Sequence, residues 1–316
     1  MAVFNQQNAQ ALMPREILQG MVTKTQATST LAKLSGAEPM KFGKADIITF
    51  DNFPRAEFVE AGADKSSTTG GFGSVTAQPH KAQVTMRFDQ EVQWLDEDYQ
   101  LGVLSQLADK GAEALSRALD LGLYHRVNPL SGETIAAWTN YLTATTNTVE
   151  LTAGAEPDQA IREAAGLLIN STENPVTPTG LALDPSIVWD LANLQTKLAN
   201  GDPSGVQRYP QLGLGTNIVD FLGLNAATGN TVSGRPEATD TGVRAIVGDF
   251  QNGARWGIQR DLPVEMITYG DPDGQGDLRR KNQIALRLEI VYGWYVFTDR
   301  FALVKTAATN GGGSGE

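Results

Sequence analysis

The stretch RAEFVEAGADKSSTTGGFGSVTAQPHKAQVTMRFDQEV, residues 55–92, decides how the rest of the chain is read. From Ala82 to Trp94, the residues Ala82, Val84, Met86, Phe88, Val92 and Trp94 share one parity, with Gln90 the exception. Lys81, Gln83, Thr85, Arg87, Asp89, Glu91 and Gln93 share the other. Alternation of this kind predicts a half-buried strand. At about 3.4 Å per residue it reaches roughly 44 Å, well beyond the usual five or six residues. Arg55–Glu60 is the predicted returning strand, and GADKSSTTGGFGS (62–74) between them is a long, soft loop with a lone cation, Lys65. Such a hairpin is longer than a compact domain needs.

Two further segments are equally long. In NQIALRLEIVYGWYVFTDRFALVK (282–305), Ile284, Leu286, Leu288, Ile290, Tyr292, Trp294 and Val296 fall on one parity, which predicts a second very long strand followed by a short one. In DEDYQLGVLSQLADKGAEALSRALDLGLYH (96–125), Leu104, Leu107, Ala108, Leu115, Ala118 and Leu119 recur at helical spacing. Asp96, Glu97 and Asp98 stand where carboxylates stabilise a helix start, a simpler role than a catalytic pair. Between helix and final strand lies an αβ region. Pro157 opens a helix through Ile169. A second helix has Asp184 as N-cap, Pro185 at its first position, Leu191, Leu194 and Leu198 on its apolar side, and Asn200-Gly201 as its stop. Residues 201–242 are loop-rich with short strand pieces, and VRAIVGDF (243–250) is a buried strand.

Residues 1–45 are rich in Gln, Thr, Ala and Ser, too polar to form a core of their own, and read as an extended arm. The 316 residues, 41% hydrophobic, suffice for a large domain or two modest ones. A net charge of −11 argues against a broad phosphate-gripping surface. With no cysteine there is no thiolate chemistry, and the two histidines, His80 and His125, are far apart in sequence, so no metal or cofactor site is expected. No signal-like or membrane-spanning apolar run is present, and no membrane partner is expected. Asn170-Ser171-Thr172 reads as a polar helix end, and TNGGGSGE as a solvated terminus or artificial linker. Gly71-Phe72-Gly73 lacks the third glycine and βαβ unit of a dinucleotide loop. Asp271-Pro272-Asp273-Gly274-Gln275-Gly276 resembles the start of a calcium loop, but Asn282 replaces the closing glutamate, and a plain turn is expected.

The order arm, long hairpin, long helix, αβ region, GDF strand and long terminal strand resembles the tailed-bacteriophage major capsid protein of the Hong Kong 97 type. The resemblance rests on residues 55–92, on GDFQNGARWGI (248–258) and on 282–304. It implies an α+β fold with an N-terminal arm (1–52), an E-loop hairpin (53–92), a peripheral domain with a spine helix (93–129), an axial domain (130–260), and return strands with a tail (261–316). It further implies a structural role: self-assembly as hexamers and pentamers into an icosahedral virion shell that encloses double-stranded DNA, built in the host cytoplasm. The implied partners are other copies of the chain, a separate scaffolding protein, a portal, and maturation or decoration proteins. A nanocompartment shell of the same fold is the alternative; a soluble hydrolase would need a convergent motif that the sequence lacks.

Some members of this family crosslink themselves. Lys65 matches their E-loop lysine, Asn282 the acceptor asparagine and Glu289 the catalytic glutamate. Seven positions apart in a regular strand, Asn282 and Glu289 face opposite sides roughly 23 Å from each other, so the three residues would have to come from different subunits. Without that role Lys65 is a solvated loop lysine, Asn282 an amide ending a turn, and Glu289 a strand glutamate paired with Arg287 or Arg300.

Overall fold

The computed structural model describes residues 29–50, 56–67, 71–94, 97–172, 174–198, 202–213, 218–261 and 264–306. The first element among the described residues is a short helix, α1 (Thr30–Leu34). Strand β1 (Ala45–Phe50) runs antiparallel to the long β2 (Phe72–Asp89), and one helix, α2, covers Glu97–His125. The αβ region contains β3 (Thr148–Leu151), α3 (Pro157–Ile169), β4 (Gly180–Leu183) and α4 (Pro185–Ala192). Short strands follow: β5 (Gln195–Lys197), β6 (Pro203–Gln207), β7 (Asp220–Phe221) and β8 (Leu224–Thr228). The last group is β9 (Val243–Gly248), β10 (Ala254–Asp261), β11 (Glu265–Ile267), β12 (Gln283–Val296) and β13 (Phe301–Thr306). The 97–125 helix, the 157–169 helix, the 243–248 strand and the long terminal strand all form as the sequence predicts.

The two alternating segments pair with each other. β12 runs antiparallel to β2 from Gln283 opposite Asp89 to Trp294 opposite Gln78, in a sheet ordered β1-β2-β12-β10 with β11 also on β12. One face packs on α2: Ile284, Leu286, Leu288, Ile290, Tyr292, Trp294 and Val296 are all buried, and Ala82, Val84, Met86 and Phe88 close over the same core. Close approach depends on Gly122 in α2, where a Cβ would lie 2.9 Å from the Trp294 ring. The parity exception Gln90 marks the strand's end. β2 stops at Asp89, a 3-10 turn takes Gln90–Trp94, and the Gln90 amide donates to the Asn282 carbonyl at 2.8 Å. The expected extension to Trp94 is therefore absent, and the strand instead begins ten residues before Ala82, at Phe72.

Arg55–Glu60 is not the returning strand. Among the described residues 56–60 none is in a strand, and β1 takes that place, pairing Ala45 with Ala77 through Phe50 with Phe72. ADIITF carries β-branched residues at three consecutive positions, whereas RAEFVE carries Arg55, Glu57 and Glu60. The loop is correspondingly longer, and residues 56–67 are exposed throughout. Asp96 lies outside the described residues, and so do the side chains of Glu97 and Asp98.

The arm also departs from expectation, because residues 29–38 are built into the subunit. Leu31 and Leu34 are buried in the core. Ser29 caps α1, and its hydroxyl donates to Asp120 of α2. The same buried carboxylate accepts from Thr30 N (2.9 Å), Thr30 Oγ1 (2.8 Å), Leu31 N (3.3 Å) and Thr231 Oγ1 (2.8 Å). Burial pushes the Asp120 pKa up, against the pull of these donors. Further on, the Glu38 amide donates to the Trp256 carbonyl at 2.8 Å. The chain passes so close that a Cβ on Gly257 would lie 2.0 Å from the Glu38 carbonyl oxygen.

The second sheet is ordered β3-β13-β9-β4-β8-β7, and its central strands β13, β9 and β4 are buried on both faces. Ile246, Phe301 and Leu303 face the core shared with α2 and the long sheet. Ala245, Val247, Ala302 and Val304 face a second core with α3 and α4. α4 begins as expected, with Asp184 accepting from Ser186 N at 2.9 Å, but it ends at Ala192 instead of continuing to Asn200. Gln195–Lys197 leaves the helix to pair with Pro203–Gln207, and Leu198 is exposed. The expected stop, Asn200-Gly201, lies outside the described residues. No helix among the described residues is long and apolar enough to cross a membrane.

Candidate functional site

The face of the β2–β12 ribbon turned away from α2 carries the odd-numbered side chains of both strands, and these interlock. Lys81 Nζ lies 2.9 Å from Glu289 Oε1, and Arg287 Nε donates to Thr85 Oγ1 at 3.1 Å. Arg287 also donates to the Pro272 carbonyl at 2.8 Å. Nearest the strand end, the Arg87 guanidinium enters the 271–276 turn, where it contacts both Asp273 carboxylate oxygens, Asp271 Oδ1 (3.0 Å) and the Gly276 carbonyl (2.9 Å). The calcium-like turn is thus folded around an arginine of the neighbouring strand.

The three sequence-derived site residues are strung along this ribbon. Glu289 stands mid-strand opposite Gln83. Its side chain is 18% exposed, and its ionic partner is Lys81 rather than Arg287 or Arg300; Arg300 lies instead 3.4 Å from Asp249. Asn282 is not in the strand. It is exposed, precedes β12 in a left-handed conformation (φ 54°, ψ 42°), and caps a 3-10 turn, so strand parity does not set where its side chain points. Lys65 sits in the exposed loop beyond the opposite end of β2. From Asp89, beside Gln283, to Phe72 the strand alone covers roughly 55–60 Å. A single subunit does not bring the three together.

The projecting end of the hairpin exposes apolar side chains. Ile48 pairs opposite Ser74, which puts it on the same face as Phe72; they are 71% and 68% exposed. Phe58 in the loop is fully exposed. At the root, where β2 leaves β12, His80 stacks on Trp294 (3.9 Å between centroids) and leans on Trp138 (4.2 Å), and burial lowers its pKa to about 4.

Residues 9–305 match the model of the phage capsid family. The chain belongs to the phage capsid family. A solved structure from Mycobacterium phage Ogopogo is 45% identical, with a TM-score of 0.78 over 89% of this chain and 92% of the other. One from Gordonia phage Cozz is 27% identical, with a TM-score of 0.75 over 89% and 87%. The capsid of a native GTA particle shares the fold at 15% identity, with a TM-score of 0.57 over 89% and 91%. No curated protein matches. The architecture above is accordingly the Hong Kong 97-type α+β fold, and the chain is a shell-forming structural protein of the virion.

Two side chains of this capsid protein escaped the sequence reading. Asp120 was visible as a lone acid inside the apolar run ALDLGLY, a pattern that demands buried donors. Lys81 was placed correctly on the outer face, but its partner depends on the β2–β12 register, which no local pattern reveals.

Proposed function

We propose that this capsid protein closes into an icosahedral shell of hexamers and pentamers around double-stranded DNA, assembled in the host cytoplasm with scaffolding, portal and maturation or decoration proteins. The projecting hairpin carries the reading. Ile48, Phe58 and Phe72 are largely exposed in the subunit, and large apolar side chains exposed along one hairpin and its loop mark a protein contact. Electron microscopy and sedimentation of the purified protein, with and without scaffolding protein, are expected to show capsomers or closed shells. A stable monomer under both conditions counts decisively against the proposal.

Within the shell, the same reading joins Lys65 of one subunit to Asn282 of another, with Glu289 as base. The neutral Lys65 Nζ attacks the Asn282 Cγ, forming a C–N bond. Glu289 accepts the proton from Nζ and returns one to the departing amide nitrogen, and ammonia leaves. The separation of the three residues along one ribbon supports an intersubunit reaction, dependent on assembly. Mature particles are expected to give ladders on denaturing gels that disappear in Lys65→Arg, Asn282→Ala and Glu289→Ala. Wild-type mature particles running wholly as monomer would remove the crosslink and leave the shell assignment standing.

A further inference from the structure

We infer that Lys81 is a guard on Glu289, an intrasubunit ammonium that occupies the base until the hairpin of a neighbouring subunit displaces it. The inference rests on the crosslink reading above and concerns its timing.

To react, the Lys65 ammonium must come to lie against the Glu289 carboxylate, where Lys81 competes with it for the same place. In the isolated subunit one oxygen of Glu289 already lies 2.9 Å from Lys81 Nζ. The pair is diagonal across the ribbon, since Gln83 is the residue directly opposite Glu289 and Val291 the one opposite Lys81. Other charged groups at the neighbouring register positions are committed or one rung away: Arg287 is held by Thr85 and the Pro272 carbonyl, Arg260 lies opposite Val291, and Glu265 opposite Arg287.

The two partners differ in how firmly they are held. The Glu289 side chain is largely enclosed at 18% exposure, while Lys81 is 56% exposed. A lysine on a flexible four-carbon stem can swing into water, whereas the carboxylate stays in place. Arrival of Lys65 would then be an exchange of one ammonium for another beside the same carboxylate. Charge at the site is conserved through the exchange, so the step is set by hairpin docking and not by desolvation of a new ion. Lys65 then gives its first proton to water, attacks as the neutral amine, and passes its second proton to Glu289, which returns it to the departing ammonia. An ion pair this exposed is weak, which suits a guard: it slows reaction in loosely docked particles by about fivefold and yields to a well-seated neighbour.

The test compares wild-type, Lys81→Met, Lys81→Gln and Lys81→Arg particles, matched first by electron microscopy for assembly and morphology. Each set is triggered to mature and sampled over time on denaturing gels. Lys81→Met and Lys81→Gln are expected to crosslink about fivefold faster than wild type and to begin at an earlier stage, while Lys81→Arg keeps the wild-type rate. If wild type crosslinks and the uncharged variants match it or lag behind it, the guard is refuted and the crosslink stands. If no set crosslinks at any stage, the crosslink falls and the guard with it.

Discussion

The six-stranded sheet and the projecting hairpin are finished to different degrees. In the sheet, β4 is buried at each of its four positions, and β9 and β13 present apolar side chains to a core on either face. In the hairpin, β1 pairs with the first six residues of β2, yet Ile48 and Phe72 are 71% and 68% exposed, and Ala77 is the one buried side chain among the described residues of that stretch. One region has spent its hydrophobic surface on the subunit. The other leaves it exposed, which on the proposed function is where neighbours dock. β2 joins the two regimes, because its residues 78–89 pair with β12 and its residues 72–77 pair with β1.

That contrast breaks first if the sheet is not the subunit's core. Ile246→Ala in β9, fully buried between Leu303 and Ala182, is expected to cost about 2–5 kcal/mol in urea unfolding. A loss below 1 kcal/mol would place the core elsewhere. Asp120→Ala comes next, because it strips the acceptor from buried donors of Ser29, Thr30 and Thr231. A loss of about 1–3 kcal/mol is expected, with hydrogen exchange rising first at residues 29–36.

A smaller effect probes the hinge between the regimes. Burial lowers the pKa of His80 and of His125 to about 4. The unfolded chain takes up these protons near pH 6.5, and the folded one only near pH 4. Stability from both groups is therefore full above pH 6.5 and is lost as pH falls towards 4. Thermal melts at pH 7 and 4.5 should show a smaller acid loss in His80→Phe than in wild type. Equal losses would mean that His80 is open to water and the hairpin root loosely packed. Smallest of all in subunit stability is the pair Ile48→Ser with Phe72→Ser, within about 0.5 kcal/mol, although shell yield by electron microscopy should collapse. Unfolding of that double variant would show that the hairpin belongs to the core.

What the sequence made legible follows the same division. Strict alternation over 82–88 and 284–296 and the helical repeat over 97–125 are local signals written by burial within the subunit, and each produced its element. Gln90, the one residue out of phase, marked a real strand end. Features set by distant partners were not legible. β1 was lost in the arm because its strand character is realised only against Phe72–Ala77. Leu194 and Leu198 continued a helical pattern that the β5–β6 pairing overrides. The arm root looked unattached because its anchor, Asp120, lies ninety residues away. For the candidate site, the parity that buries Ile284 to Val296 leaves Glu289 on the other face, but its partner Lys81 and the left-handed turn at Asn282 both follow from register and turn geometry.

The turn at 271–276 also bears on what the corner of the long sheet needs from the medium. Its aspartates are arranged as if to hold a dissolved ion, and the positive charge they receive is Arg87, tethered to the adjacent strand. A tethered charge has no dissociation equilibrium with the medium, so chelator or scarce calcium takes nothing from it. The corner of the long sheet thereby draws its positive charge from the chain itself, and that charge is in place as soon as the two strands pair.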